Sequence, residues 1–333
     1  MLGAVFEGDG RLVIREVPDP VPGPDDVLIG VEACGICGTD LQILTVPPGH
    51  PATPGTILGH EFVGYVKEVG EAVTTVRVGE RVVVDPDPKC GSCTSCRAGR
   101  PANCENIRAL GVYRDGGLAS LVIAPAGAVY PISDDVPAAL ASLVEPLACV
   151  VNGTNRAAVR PGESVVVMGA GTIGCLFAAV FKASGAGPII VIEPNPVRAA
   201  VARAVGADLS LTPDEFAARR TEVLPGGANV VVDAVGSLLS PAIEAAAMGG
   251  RIVLFGMNGA ARPPIRQVEI TEKGLAILGS YISNFTFPTA IGLVESGKLN
   301  LAPIVSAILP LSQALDGIAR LRSGEVTKIV IKL

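Results

Sequence analysis

The chain has 333 residues, long enough for two domains that each bury a core. It is 49% apolar, 17% charged and 4% aromatic, and its Gly 40 and Pro 27 are more than a mainly helical protein uses. A net charge of −6 with no basic stripe excludes a nucleic-acid partner, and no apolar run approaches the roughly 20 residues of a membrane span. Met1-Leu2-Gly3-Ala4 runs into Val5-Phe6-Glu7 without the pattern of a signal peptide, so the eight cysteines are expected in a reducing cytoplasm.

Residues 1–145 read as short strands broken by Pro and Gly, with apolar runs at 27–31, 62–66 and 81–84. This predicts an irregular, mostly antiparallel β-domain. Two segments within it carry chemistry. Cys34-Gly35-Ile36-Cys37-Gly38-Thr39-Asp40 sets a thiol before a hydroxyl and a carboxylate, and Gly59-His60-Glu61 sets an imidazole beside a carboxylate. A catalytic zinc takes three protein ligands and keeps one position open; Cys37, His60 and a carboxylate supply them. Asp40 is placed to accept the other ring N–H of His60 and fix its tautomer. Cys34 and Cys37 also form a C-x-x-C, but no thioredoxin-like βαβ pattern surrounds them, and Cys34 reads as a core thiol. His50, among Pro47, Pro48, Pro51 and Pro54, reads as a surface or pocket-rim residue.

Next come Cys90, Cys93, Cys96 and Cys104, spaced C-x2-C-x2-C-x7-C. Four thiolates this close surround one tetrahedral Zn²⁺, and the small residues between them let a lobe over about 88–106 fold around the ion. Iron–sulfur runs usually space their cysteines differently, and a disulfide cluster needs an oxidising compartment. A closed four-sulfur site is structural, so the reaction lies elsewhere.

Near residue 146 the texture changes. Apolar strands at 164–168, 189–192, 230–233 and 251–255 alternate with helical patterns at about 172–184, 196–205 and 240–248. This predicts a doubly wound parallel sheet covered on both faces. Gly169-Ala170-Gly171-Thr172-Ile173-Gly174 is a G-x-G-x-x-G that follows a strand and opens a helix, the context of a dinucleotide site. Glu193 ends the second strand, where a carboxylate accepts from ribose hydroxyls and repels a 2′-phosphate, favouring NAD over NADP. Arg198 either lines the adenosine end or accepts a phosphate. Cys149 and Cys175 read as core thiols. Beyond 284 the alternation stops; a helix over about 287–297, a short strand, a helix over about 311–323 and a strand at 328–332 make a tail expected to return to the first domain.

With these motifs in this order, the chain resembles the zinc-containing medium-chain dehydrogenases, in the branch of sorbitol, threonine and polyol dehydrogenases. The resemblance spans essentially the whole sequence. It implies an α/β protein with a GroES-like catalytic domain at 1–148, a Rossmann domain at 149–284 and a returning segment at 285–333, the active site lying in the cleft between the domains. Ser142-Leu143-Val144-Glu145-Pro146-Leu147-Ala148 is similar to the Glu-Pro-Leu segment of that branch. It makes Glu145 a candidate zinc ligand or the holder of a zinc-bound water, with Glu61 as the competing oxygen ligand. Phe255-Gly256-Met257 and Gly279-Ser280-Tyr281 are similar to strand ends that contact the nicotinamide, and Arg114-Asp115-Gly116-Gly117 to a segment of sugar-acid and polyol dehydrogenases. Gln42 stands where many relatives carry a histidine; it cannot shuttle a proton, which puts threonine specificity in doubt.

The expected activity is NAD-dependent oxidation of a secondary alcohol of polyol or sugar-acid type to its ketone. One catalytic and one structural zinc serve each chain, and Thr39 accepts the leaving proton. The runners-up are a dehydrogenase of simple secondary alcohols or diols and a non-catalytic NAD(H)-binding zinc protein. The resemblance further implies a homodimer or homotetramer built through the Rossmann domain, near Tyr281 or the strand before it.

Overall fold

Strands β1 (Leu2–Gly8) and β2 (Arg11–Glu16) pair antiparallel around Asp9-Gly10, both at positive φ. The next strand, β3 (Asp26–Gly35), alternates buried and half-buried residues, the period of a strand with one face on a core. It is followed by helix α1 (Gly38–Ile43), β4 (Glu61–Val69), β5 (Arg81–Val84), the short helix α2 (Thr94–Arg97), β6 (Leu121–Pro125), β7 (Val129–Pro131) and α3 (Ala138–Ala141). Helix α4 (Val144–Ala157) then leads to the alternating region: β8 (Val165–Met168), α5 (Thr172–Ala183), β9 (Ile189–Ile192), α6 (Pro196–Val205), β10 (Leu209–Leu211), α7 (Pro213–Val223), β11 (Ala228–Asp233), α8 (Leu239–Ala245), β12 (Ala246–Leu254), α9 (Gln267–Lys273) and β13 (Ala276–Gly279). The chain closes with α10 (Phe287–Glu295), β14 (Val305–Pro310), α11 (Ala314–Ser323) and β15 (Lys328–Lys332).

The computed structural model describes all 333 residues and divides into two units. One comprises Met1–Ala148, Ser283–Ser296 and Val305–Leu333; the other comprises Cys149–Ile282 and Gly297–Ile304. Thus the tail does not run unbroken in the first unit, because 297–304 belongs to the second.

The first unit holds a seven-stranded sheet in the order β14-β15-β3-β4-β5-β7, with β6 also paired to β3. Its pairings are antiparallel except β14 with β15, which is parallel. Its core packs Phe62, Ile29, Leu58 and Leu118 with Ile318 and Ile329 from the tail. Burying side chains of this size stabilises the fold by about 1.5–3 kcal/mol each.

The second unit is a six-stranded parallel sheet in the order β10-β9-β8-β11-β12-β13. Every residue of β8 and β9 is buried, as strands covered on both faces require. The chain winds outward from β8 in one direction and then from β11 in the other. A topological switch point therefore falls between the carboxyl ends of those two strands, where such sheets bind nucleotides.

The sequence reading passes over β10, α7 and α9. Helix α7 starts on a reciprocal capping box of Thr212 and Glu215, with Pro213 in its first turn, a start signal placed before a weakly amphipathic run. The helix expected to 248 ends at Ala245, and the strand begins at Ala246 rather than 251. Gly249 at φ 69° and a register shift opposite Ala228 and Val230 let the Ala-Gly stretch join the sheet as an irregular strand.

Candidate active site and cofactor site

The register of β3 on β4 brings the first chemical group together. Gly35 pairs with Glu61 and Cys34 with Phe62, so the Cys37 segment leaves β3 beside the start of β4. Cys37 is the N-cap of α1: its Sγ accepts the Thr39 N–H at 3.4 Å, and Asp40 Oδ2 accepts the Cys37 N–H at 2.8 Å. This reciprocal box fixes the direction of the thiol. Cys37, His60 and Glu61 each offer a donor atom, all within 4.8 Å of one another.

Asp40 does not make the hydrogen bond expected of it. Its Oδ1 lies 3.8 Å from His60 Nδ1, beyond hydrogen-bond reach, and neither atom has another partner. The other carboxylate oxygen is committed to capping Cys37. Two buried polar atoms thus stand 3.8 Å apart with no hydrogen bond between them.

Electrostatics show what the pocket is built to receive. Burial acts to lower the His60 pKa, but Cys37 and Asp40, with Glu145, outweigh it and hold it well above its ordinary value. Glu145, in the first turn of α4, lies outside the three-residue group. Burial first, then Glu61, Asp87 and Asp85, push its carboxyl up to about 8 against the opposing pull of His60. Buried anions in this number favour a bound cation, and a thiolate, an imidazole and carboxylates are zinc ligands.

A further charge enters from the tail. Lys328 Nζ donates to Glu61 Oε2 and, at 2.9 Å, to the Ile36 carbonyl; Lys328 and Glu61 are each 1% exposed. Strand β15 pairs with β3, setting Val330 opposite Gly35, which delivers this lysine. Only glycine fits at position 35: a Cβ there would lie 2.3 Å from Glu61 Oε2 and 2.8 Å from Lys328 Cε. Nearby, Lys89 donates to both Asp85 oxygens at 3.1 and 3.0 Å and to Ser283 Oγ at 3.3 Å, while Asp85 Oδ1 accepts the Asp87 N–H at 3.1 Å.

The fold brings the four clustered cysteines together. Cys90, Cys93, Cys96 and Cys104 lie within 4.8 Å of one another, and all are free thiols. Cys104 Sγ is 3.5 Å from Cys90 Sγ and 3.9 Å from Cys93 Sγ. Tetrahedral sulfurs on zinc, each about 2.3 Å from the metal, stand roughly 3.8 Å apart, so the cage fits the ion. The Asn106 amide and backbone N–H groups hold the Cys90 thiol down to about 5, while burial and neighbouring thiols push Cys96 up to about 12. Four ionised sulfurs share this cage only with a cation among them.

In the second unit, Gly169 at φ 94° turns the chain from β8 into α5, with Gly171 as N-cap. A Cβ at Gly174 would lie 1.9 Å from the Gly169 carbonyl oxygen, so the third glycine permits the helix to pack on the strand. A Cβ at Gly171 would meet nothing within 4 Å, leaving room for a diphosphate to approach the backbone. Glu193 is 6% exposed, and its oxygens accept from Ala170 N at 2.7 Å and Asn195 N at 2.9 Å. Each oxygen keeps a lone pair for a ribose hydroxyl. Arg198 carries a buried Nε with no partner. Thr172 and Ile173 begin α5. Phe255 and Gly256 donate to the Asp233 carbonyl at 3.1 and 2.9 Å, and Met257 follows, 54% exposed. Ser280 N bonds Leu254 O at 3.0 Å, its Oγ is buried without a partner, and Asn152 holds the Tyr281 and Ile282 carbonyls at 3.2 and 2.8 Å.

Comparison with known proteins agrees with this geometry. The alcohol dehydrogenase GroES-like domain family matches residues 23–134, and the zinc-binding dehydrogenase family matches residues 172–296. The chain belongs to the zinc-containing medium-chain dehydrogenases. It is 34% identical over 331 residues to D-altritol 5-dehydrogenase of Agrobacterium fabrum, covering 97% of this chain and 96% of the relative. It is likewise 34% identical over 330 residues to L-threonine 3-dehydrogenase of Caldanaerobacter subterraneus, covering 96% and 94%. A crystal structure of a zinc-binding dehydrogenase from Sinorhizobium meliloti, bound to NADP, superposes with a TM-score of 0.95 at 32% identity over 100% of this chain and 99% of that one.

Within this dehydrogenase, sequence reasoning misses three residues near its sites. Lys328 looks like one more charge on a terminal strand; only the pairing of β15 with β3 reveals its partner. Asp233 accepts from Val235, Gly236 and Leu238 at 2.8–2.9 Å and shapes the loop after β11. A carboxylate ending an apolar strand before Ala-Val-Gly is a signal that could have found it. Asn152 sits in a helix with no motif around it. His50 behaves as a loop residue, its Nδ1 2.8 Å from the Pro51 carbonyl, and Cys34, Cys149 and Cys175 are buried thiols.

Proposed function

We propose that this dehydrogenase oxidises a secondary alcohol of polyol or sugar-acid type to its ketone, with transfer of a hydride to NAD⁺. The carrying observation is the acid-rich pocket around Cys37 and His60, where Glu61, Glu145, Asp85 and Asp87 outnumber the cations. A pocket lined by this many polar and charged side chains suits a substrate with several hydroxyls better than a simple alcohol. The 34% identity to a D-altritol dehydrogenase supports the same class.

Cys37, His60 and a carboxylate, Glu61 or Glu145, would hold the catalytic zinc, and Cys90, Cys93, Cys96 and Cys104 the structural one. A zinc in the first site supplies Lewis-acid polarisation of the substrate hydroxyl. The chain does the rest. The α1 cap, with Asp40 accepting the Cys37 N–H, holds the Cys37 thiolate in place. The Thr39 hydroxyl, one helical position beyond Gly38, takes the proton from the substrate oxygen and passes it toward solvent. Phe255, Gly256, Met257, Ser280 and Tyr281 are the proposed wall for the nicotinamide ring.

Glu193 supports NAD as the cofactor, since its buried carboxylate repels a 2′-phosphate. The buried, unpartnered Nε of Arg198 and the NADP bound to the relative from Sinorhizobium meliloti favour NADP as the second reading. All eight cysteines are free, as a reducing cytoplasm keeps them.

NADH formation should be assayed over polyols, aldonic acids, L-threonine and simple secondary alcohols, with wild type and His60→Ala. The reading predicts turnover on the polyhydroxylated class and loss of at least a thousandfold in kcat in His60→Ala, with NAD⁺ still bound. Turnover confined to simple alcohols, or an active His60→Ala, contradicts it.

A further inference from the structure

We propose that Asn152 is a positioning residue for the nicotinamide ring: from helix α4 it clamps the strained turn at Tyr281–Ile282 and so sets the wall that the ring meets. The inference deepens the proposed function and rests on its reading that residues 255–257 and 280–281 form that wall.

Ile282 has φ 41°, in the left-handed region. A β-branched residue there is an outlier, and such a backbone persists only where its surroundings hold it. Asn152 does the holding. Its Nδ2 donates to the Tyr281 carbonyl at 3.2 Å and to the Ile282 carbonyl at 2.8 Å. These two carbonyls belong to the peptide planes on either side of the Ile282 Cα, so fixing both planes fixes φ and ψ there. Asn152 is 6% exposed, so water does not readily replace it as the donor. On the near side of the turn, Ser280 N is bonded to Leu254 O at 3.0 Å. Tyr281 thus stands between this bond to the sheet and the clamp.

The same turn of α4 also seats the other strand end. Gly153 follows Asn152, and a Cβ there would lie 2.6 Å from Phe177 Cζ and 3.2 Å from Phe255 Cδ2. Glycine weakens a helix interior, and here the space it leaves is filled by rings. Phe255 meets Phe177 edge-on, with the ring centroids 5.1 Å apart. Asn152 and Gly153 therefore bear on both segments of the proposed wall, one through hydrogen bonds and one through packing. Neither contact includes the candidate metal ligands or the glycine turn, so the clamp acts on the ring end of the cofactor alone.

The test compares NADH with ADP-ribose, which lacks the nicotinamide ring. Calorimetry gives both affinities for wild type, Asn152→Ala, Asn152→Asp, Ile282→Gly and Asn152→Ala/Ile282→Gly. Aspartate keeps the shape of asparagine but sets an oxygen against both carbonyls. The proposal expects Asn152→Ala and Asn152→Asp to weaken NADH about tenfold while ADP-ribose stays within about twofold. Ile282→Gly should bind both as wild type does. Glycine takes a positive φ without strain, so the double variant should recover most of the NADH loss. Unchanged NADH affinity in Asn152→Asp overturns the proposal. So does equal weakening of NADH and ADP-ribose, which would make Asn152 a general support, and so does a double variant no better than Asn152→Ala. If the single Asn152 variants fail to fold, the double variant decides, because it needs no clamp: NADH binding near wild type upholds the proposal, and failure to fold or to bind NADH overturns it. A wild type that binds NADH no tighter than ADP-ribose overturns the proposed wall, and the clamp with it.

Discussion

Glu193 shows how much one carboxylate can decide. Its oxygens sit at the end of β9, buried and bonded to the amides of Ala170 and Asn195, one of which belongs to the glycine turn itself. The same group therefore shapes the glycine turn and, in the proposed reading, is the carboxylate that takes the ribose hydroxyls. Glu193→Ala should lower kcat/KM for NAD⁺ by about 10- to 100-fold, the worth of hydrogen bonds to a charged group, and raise the NADP⁺ to NAD⁺ preference because the repulsion is gone and Arg198 remains. Steady-state kinetics with both cofactors checks this; an unchanged preference would remove Glu193 from the adenosine end. At this scale the sequence is legible where chemistry forces spacing. The glycines, the four cysteines, Cys37 and His60 are all found from local pattern. Lys328 is not, because its partner is 267 residues away and only strand pairing joins them.

At the scale of elements, buried strands and capped helices are the legible parts. Strands β5, β9 and β15 and helix α6 have the limits that the apolar runs and the helical pattern at 196–205 predict. The failures come where pattern is weak: α7 shows almost no apolar face, and β12 begins in an Ala-Gly stretch that reads as helix. One contact between elements carries a pH signature. Glu163, just before β8, accepts from Arg160 N at 2.8 Å and from Arg251 on β12. Burial acts to raise its pKa, but these partners outweigh it and hold the carboxyl below its ordinary value. A depressed folded pKa means stability that is full above the unfolded value of about 4.3 and is lost as pH falls through the folded value. Glu163→Gln should therefore cost about 1 kcal/mol at neutral pH, with the gap to wild type closing as pH drops below about 4. Denaturant unfolding across pH measures it; a gap that persists in acid would assign the cost to packing instead.

For the whole molecule, the two units divide the chemistry by the physics each sheet allows. The antiparallel sheet turns tightly at strand ends, and the register of β3, β4 and β15 brings the donor atoms of Cys37, His60 and Glu61 together with a lysine from residue 328. The parallel sheet leaves open helix N-termini at one edge, which suits a phosphate-bearing cofactor. The family and the order of its motifs are readable from sequence because metal and nucleotide sites demand fixed residue types. The substrate is not, because no local motif specifies it, and groups such as Asp85, Lys89 and Ser283 meet only through the fold.

The central claim is that two zinc sites with different tasks are built into each chain. Metal analysis of the purified protein, alongside Cys37→Ser and Cys96→Ser, tests it directly. The account predicts about two zinc ions per wild-type chain and about one in each variant. It also predicts that Cys37→Ser stays folded and binds NAD⁺ without turnover, while Cys96→Ser loses stability. A wild-type chain with a single zinc that Cys37→Ser leaves in place would contradict it.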